Sequence, residues 1–168
     1  IEDGGLRSSS SIAILACYII ARSKEKLTAK NVVDALVEGK IANYFEISSA
    51  ISKMIKTNNL VENEDGHLSI TEKCAFNVEM LENDLPITLR EKAVELAAKI
   101  ARLELYKKEN KATVEKDGNR YKVTLHVSDK DCDFMVLSLY FPSEAQAQVV
   151  KEKFQTHPGE VYELSLIH

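Results

Sequence analysis

The spacing of apolar residues turns from mainly helical to strand-like after Lys111, and that change constrains the fold more than any other feature. From Ile12 to about Tyr106, apart from a short stretch at 60–71, apolar residues recur every three or four positions, as on one face of a helix. Beyond Lys111 they alternate: Tyr121, Val123, Leu125 and Val127 are interleaved with Lys122, Thr124 and His126, the mark of a half-buried strand. Helices first and strands afterwards predict an α+β protein. Its 168 residues allow one domain or two small ones, and the change of period favours two, with a long helix between them.

Within the helical part the residues that start and stop each element are readable. Ile12, Leu15, Ala16, Ile19 and Ile20 predict a helix over 11–23. Thr28 is a predicted N-cap for a second helix that buries Val32, Val33, Leu36 and Val37, and Gly39 is its predicted left-handed stop. Asn43 and Glu46 have N-cap and N3 spacing and open a third helix, over 43–57, with Ile47, Ala50, Ile51, Met54 and Ile55 on one face. Asn58-Asn59 ends it. Segments 60–63 and 67–71 flank Glu64-Asp65-Gly66 and read as a short hairpin. Thr71 is expected to cap a fourth helix reaching about Asn83, and Leu85-Pro86 to interrupt the chain. Thr88 and Glu91 read as a capping box for the longest helix.

The second part reads as strands at 112–115 and 121–127 across the Lys116–Asn119 turn, followed by a nearly continuous apolar run, Phe134 to Phe141, that suits a central strand. Pro142-Ser143 opens a helix to about Gln155, and Val161 to Ile167 is a predicted last strand. The expected organisation is a loose lead-in (1–10), an N-terminal winged helix-turn-helix (11–84), a long connecting helix (85–108) and a C-terminal small antiparallel sheet with one helix (109–168). The first residue is not Met, so the chain is expected to be trimmed or to start inside a longer natural one.

Three helices followed by a hairpin is the arrangement in which the third helix enters the DNA major groove and the hairpin, the wing, touches the backbone or minor groove. The outer face of helix 43–57 carries Phe45, Ser49, Ser52, Lys53 and Lys56, with Ser48 at its edge. Small hydroxyls allow close approach, and lysines neutralise phosphate charge. Asn43 and Tyr44 sit at the helix N-terminus, where free N–H groups and the dipole favour a phosphate. Overall charge argues mildly against such a partner, since 26 acidic residues outnumber 22 basic ones for a net −4. That figure is an average. Residues 22–61 hold seven basic and four acidic residues, a net +3, whereas 62–84 hold one basic and seven acidic, a net −6. Wing contacts are therefore expected to be weak, with His67 the one wing residue able to gain positive charge.

Other chemistries find little support. Cys17, Cys74 and Cys132 are far apart and form no Cys-x-x-Cys pair, so no disulfide framework or zinc site is expected. The histidines form no metal-binding spacing. Asp129, Asp131 and Asp133 lack the glycine and terminal glutamate of a calcium loop. The run Ile12–Ala21 is about half the ~20 residues a transmembrane helix needs. No cleavage site follows it, so no secretory signal is expected and a reducing, cytoplasmic compartment is. With no nucleophile–base pair and no metal cluster, neither an enzyme nor a cofactor is expected.

The stretch Ile47–Lys73, with Ile51, Met54, Ile55, Asn59-Leu60-Val61, Asp65-Gly66 and Ile70-Thr71-Glu72-Lys73, resembles the winged-helix core of multiple-antibiotic-resistance-type and phenolic-acid-type bacterial regulators. Cys74 stands where those families usually place glycine. Asn43-Tyr44-Phe45-Glu46, Leu85-Pro86 and the segment ending in Val161-Tyr162 are similar to motifs of a bacterial family of unknown function, whose members are described as winged-helix transcriptional regulators. That resemblance covers nearly the whole chain from about Ile12 and implies the winged-helix fold and DNA binding.

Leu89, Ala93, Leu96, Ile100 and Leu103 follow one another at steps of four, three, four and three, a heptad seam two repeats long. It is read either as a dimer helix or as a helix covering its own domain. The expectation is a dimeric, sequence-specific transcriptional regulator that reads double-stranded DNA through helix 43–57, with an unknown effector at its C-terminal domain. The alternative is a winged-helix protein–protein interaction module that binds no DNA.

Overall fold

The computed structural model describes residues 8–129 and 132–157. The chain divides into two compact units, up to Ala101 and from Arg102 onward. The first unit contains α1 (Ser9–Arg22), α2 (Ala29–Glu38), α3 (Tyr44–Lys56), β1 (Leu60–Glu62), β2 (Leu68–Ile70) and α4 (Glu72–Leu81). A single 3-10 turn (Glu82–Asp84) leads into α5 (Ile87–Glu109), within which the division between the units falls.

Local hydrogen bonds start these helices. Ser8, Thr28, Asn43 and Thr71 each accept a backbone N–H three residues on, from Ser11, Asn31, Glu46 and Cys74. Caps of this kind contribute about 1 kcal/mol each. The Ser8 cap starts α1 at Ser9, two residues before the apolar period predicts and inside the expected lead-in. At Thr28 the exchange is mutual, because Asn31 Oδ1 also accepts the Thr28 N–H at 2.9 Å. That bond lets an asparagine sit in the core.

The helix ends correct one expectation. The left-handed residue closing α2 is Lys40, at φ +55°, and not Gly39, at φ −72°. The N–H groups of Lys40 and Ile41 return to the carbonyls of Val37 and Leu36, at 3.0 and 2.9 Å. This is a Schellman closure with Lys40 at C′. Gly39 is small for another reason: a Cβ there would lie 3.0 Å from Leu96 Cδ1 and 3.1 Å from the Ala35 carbonyl oxygen. The glycine thus admits α5 against the end of α2. Asn58, at φ +58°, closes α3 in the same way, with Asn59 N–H on the Met54 carbonyl at 2.9 Å. Asparagine tolerates that conformation.

The hairpin pairs Leu60 with Ile70 and Glu62 with Leu68. Asn63 Oδ1 accepts the N–H groups of Asp65 (3.0 Å) and His67 (2.9 Å), and Gly66 takes φ +80°. The Leu68 N–H donates to the Leu27 carbonyl at 2.8 Å and Thr28 bridges to His67, so the hairpin is tied to the α1–α2 connection. The start of α5 differs from the predicted capping box. Its first turn is closed by the Arg90 N–H on the Pro86 carbonyl at 3.1 Å, which places Thr88 and Glu91 inside the helix. Pro86 has no N–H to lose, and its fixed φ suits a helix entry.

The core of this unit is built around α1. Leu15, Ile19, Val32, Leu36, Ile47 and Leu60 are fully enclosed, and Ala93 and Ala97 bring α5 close because they are small. Arg90 is also buried, its guanidinium 5.2 Å from the Tyr18 ring and its Nε donating to the Leu85 carbonyl at 3.1 Å. Arg22 lies over the same ring, at 5.7 Å, and pairs with Glu82 at 3.2 Å.

The second unit holds the end of α5, a three-stranded antiparallel sheet and α6 (Glu144–Thr156). Its strands are β3 (Asn110–Asp117), β4 (Arg120–Asp129) and β5 (Cys132–Phe141), in the order β3-β4-β5. No loop separates α5 from β3; buried Asn110 donates its Nδ2 to the Tyr106 carbonyl at 2.9 Å and satisfies the helix end. Gly118, at φ +61°, is the first central residue of the two-residue turn between β3 and β4, where a type II′ hairpin calls for glycine. Among the described residues the central strand is β4, not the apolar run 134–141. That run alternates after all: Leu137, Leu139 and Phe141 face the core, while Val136 and Tyr140 are exposed. Val123, Leu125, Ala147 and Phe154 form the core, with α6 packed across β3 and β4. The predicted strand 161–167 lies outside the described residues. The described chain is thus an α+β protein with six α-helices and two small antiparallel sheets.

Candidate functional site

The outer face of α3 follows from its inner one. Burying Ile47, Ala50, Ile51 and Met54 leaves Asn43, Ser49, Ser52, Lys53 and Lys56 exposed, with Ser48 partly covered. At the head of the helix Tyr44 is 58% and Phe45 81% exposed. Their rings meet edge to face, 5.5 Å apart at 89°. Two adjacent aromatics this open to water are an unusual expense of apolar surface.

The predicted residues do not form one patch. They divide between two depressions on either side of α3. Tyr44, Ser48 and Ser52 line a cleft of about 480 Å³ towards α2, together with Lys30, Asp34 and Glu62. Lys30 is engaged there by Asp34 at 2.7 Å. Ser49 and Lys53 line a larger groove, about 1010 Å³, towards α1. Its other polar residues include Ser9, Ser10, Asn59 and Lys73, none of which the periodicity marks. Lys73 belongs to α4, and Thr71 brings it there. The Thr71 hydroxyl donates to the Asn58 carbonyl at 2.9 Å and its N–H to the Asn59 carbonyl at 3.1 Å, fastening the start of α4 to the end of α3. In the sequence the only trace of this is a capping threonine followed by a lysine. Lys56 is exposed but lines neither depression.

His67 stands away from the hairpin tip. It is partly buried beside Thr28, and its Nδ1 is enclosed without a hydrogen-bond partner. It is therefore placed to anchor the hairpin more than to reach outward.

The heptad residues are distributed along α5. Ala93 is fully buried in the first unit, and Leu89, Leu96 and Ile100 pack partly buried against the same core. Leu103 is partly exposed beyond the division of the units. In the second unit Asp133 is the described member of the acidic turn. It accepts from the Ser128 hydroxyl and lies 2.9 Å from His126 Nδ1. These two neighbours, Ser128 foremost, hold its carboxyl below the usual carboxylate range. Among the described residues no group of His, Cys, Asp and Glu side chains could hold a metal ion. No helix among them is long and apolar enough to cross a membrane.

No curated protein and no solved structure matches the chain. One family model does, over residues 12–167, nearly the span that the Asn43–Glu46 and Leu85-Pro86 motifs imply. The chain belongs to the family described as Domain of unknown function (DUF4364).

Proposed function

We propose that the first unit is a winged helix and that the protein is a DNA-binding transcriptional regulator reading duplex DNA with α3. The groove beside α3 carries this reading. It combines Lys53 and Lys73 with the hydroxyls of Ser9, Ser10 and Ser49 and the carboxylate of Glu46, on the side of the helix away from Asp34 and Glu62. A phosphate backbone would follow the groove, and Ser52 and Lys56 would face the bases. The hairpin is acidic at Glu62, Glu64 and Asp65 and contributes little attraction. Paired half-sites need two subunits, and the turn of α5 around Leu103, beyond the heptad residues that pack on the first unit's own core, is the proposed contact between them.

A second reading is a protein–protein module. It is favoured by the exposed Tyr44–Phe45 pair, because aromatic anchors dominate protein interfaces. Titrating duplex DNA at several salt concentrations separates the two. Each lost phosphate contact lowers the slope of log K against log salt by about 0.9. Lys53→Ala and Lys73→Ala are each expected to flatten the slope by that amount and to weaken binding to every sequence alike. Lack of salt-dependent binding by micromolar protein, to any genomic fragment including DNA beside its own gene, would leave the module reading standing.

A further inference from the structure

The core of the first unit contains three sulfur atoms from three helices. Cys17 in α1 and Cys74 in α4 are 57 residues apart in sequence, yet their Sγ atoms are 2.8 Å apart. Cys17 Sγ is also 3.3 Å from Met54 Sδ of α3. Both cysteines are 3% exposed, and neither is in a disulfide. Packing alone does not require two thiols here, since any small apolar pair would fill the space.

The two thiols are not equivalent. Cys74 is the third residue of α4 and sits in the positive end of the helix dipole, its N–H on Thr71 Oγ1 at 3.3 Å. The hydrogen bond with Cys17 holds the Cys74 thiol below its ordinary range, outweighing the opposing effect of burial. The same bond, reinforced by burial, pushes the Cys17 thiol well up. Its place in the first turn of α4 marks Cys74 as the nucleophile of the pair, with Cys17 as the thiol beside it. Met54, whose Sδ is 3.3 Å from Cys17 Sγ, also lines the groove between α1 and α3.

We propose that Cys74 and Cys17 are a peroxide-reactive dithiol that closes to a disulfide between α1 and α4. The Cys74 thiolate attacks one oxygen of a hydroperoxide, the O–O bond breaks, and Cys74 becomes a sulfenic acid as an alcohol or water leaves. Cys17 Sγ then attacks Cys74 Sγ, and the hydroxyl departs as water with the Cys17 proton. Two thiols give up two electrons and two protons in total, and the hydroperoxide is reduced to an alcohol and water. Bonding asks the sulfurs to approach by roughly 0.8 Å, to the ~2.05 Å of a disulfide.

The test uses the full chain carrying Cys132→Ser, which leaves the pair as its only thiols. After treatment with hydrogen peroxide, alkylation under denaturing conditions and mass spectrometry, we expect a loss of two hydrogens. A peptide cross-link between the segments holding Cys17 and Cys74 should accompany it, and dithiothreitol should reverse both. Because the bond closes a loop of 57 residues, the oxidised form should melt several degrees above the reduced one. Adding Cys17→Ser should stop the reaction at a sulfenic acid on Cys74, trapped by dimedone. Adding Cys74→Ser should slow the first step at least tenfold. Two thiols still alkylated under denaturing conditions, after the folded protein has met excess peroxide, would overturn the proposal. So would equal reactivity of the Cys74→Ser variant, or cross-links found only between chains.

Discussion

The two units bury apolar residues by different means. The first surrounds α1 with helices, and its enclosed residues come from α1, α2, α3, the hairpin, α4 and α5. Among the described residues the second covers one face of a three-stranded sheet with a single helix, and Phe154 is the largest fully buried side chain there. A core shared among many elements keeps its shape when one surface is altered. That leaves α3 free to spend its outer face on lysines, serines and two bare aromatic rings. A sheet covered by one helix has no such reserve, and each inward residue of α6 bears a large part of the packing.

The sharpest way to break this contrast is Phe154→Ala. Deleting a buried phenyl group costs about 3–5 kcal/mol. We expect the amides of β3, β4 and β5 to lose protection from hydrogen exchange while those of α1, α2 and α3 keep theirs. Simultaneous loss in both would mean that the units unfold as one. A smaller effect probes the crowded side of the comparison. Gly39→Ala favours a helix by up to about 1 kcal/mol in isolation. Here it sets a Cβ 3.0 Å from Leu96 Cδ1, so we expect a net destabilisation of about 1–2 kcal/mol in urea titration. Combining it with Leu96→Ala should give less than the sum of the two losses; strict additivity would show that the α2–α5 approach is not the cause.

The smallest expected effect lies on the exposed face of the sheet. Asp133 has a carboxyl held low by Ser128 and His126, so its contribution to stability is full above the unfolded value near ~3.9 and is lost as pH falls through the folded one. His126→Ala should raise the Asp133 pKa in a carboxyl NMR titration. An unchanged value would assign the depression to Ser128 and, behind it, the charge of Lys111.

Much of the first unit is legible from sequence because its signals are local. Thr28, Asn43 and Thr71 bond three residues ahead, and an apolar residue every three or four positions names the buried face of α3 with no knowledge of what covers it. Where the reading was displaced, a neighbouring residue met the same need. Lys40 took the left-handed turn expected of Gly39, Pro86 opened the helix expected to start at Thr88, and β4 took the centre expected of the run 134–141. The candidate site was legible only in half. The periodicity exposes Ser49, Ser52, Lys53 and Lys56 but says nothing of Ser9, Ser10 or Lys73, which line the groove of Ser49 and Lys53 from other helices.

The sequence by itself therefore determined the helices of the first unit, the caps at Thr28, Asn43 and Thr71 and the outward face of α3, because these depend on bonds and periods spanning three or four residues. Tertiary structure alone decided three other matters. It split the α3 face into a cleft with Asp34 and Glu62 and a groove with Lys53 and Lys73. It gave Gly39 its reason, in Leu96 of a helix that begins nearly fifty residues later. It brought Cys17 to Cys74 across 57 residues of chain. Contacts at such separations are set by how helices pack against one another, and no local pattern of residues encodes them.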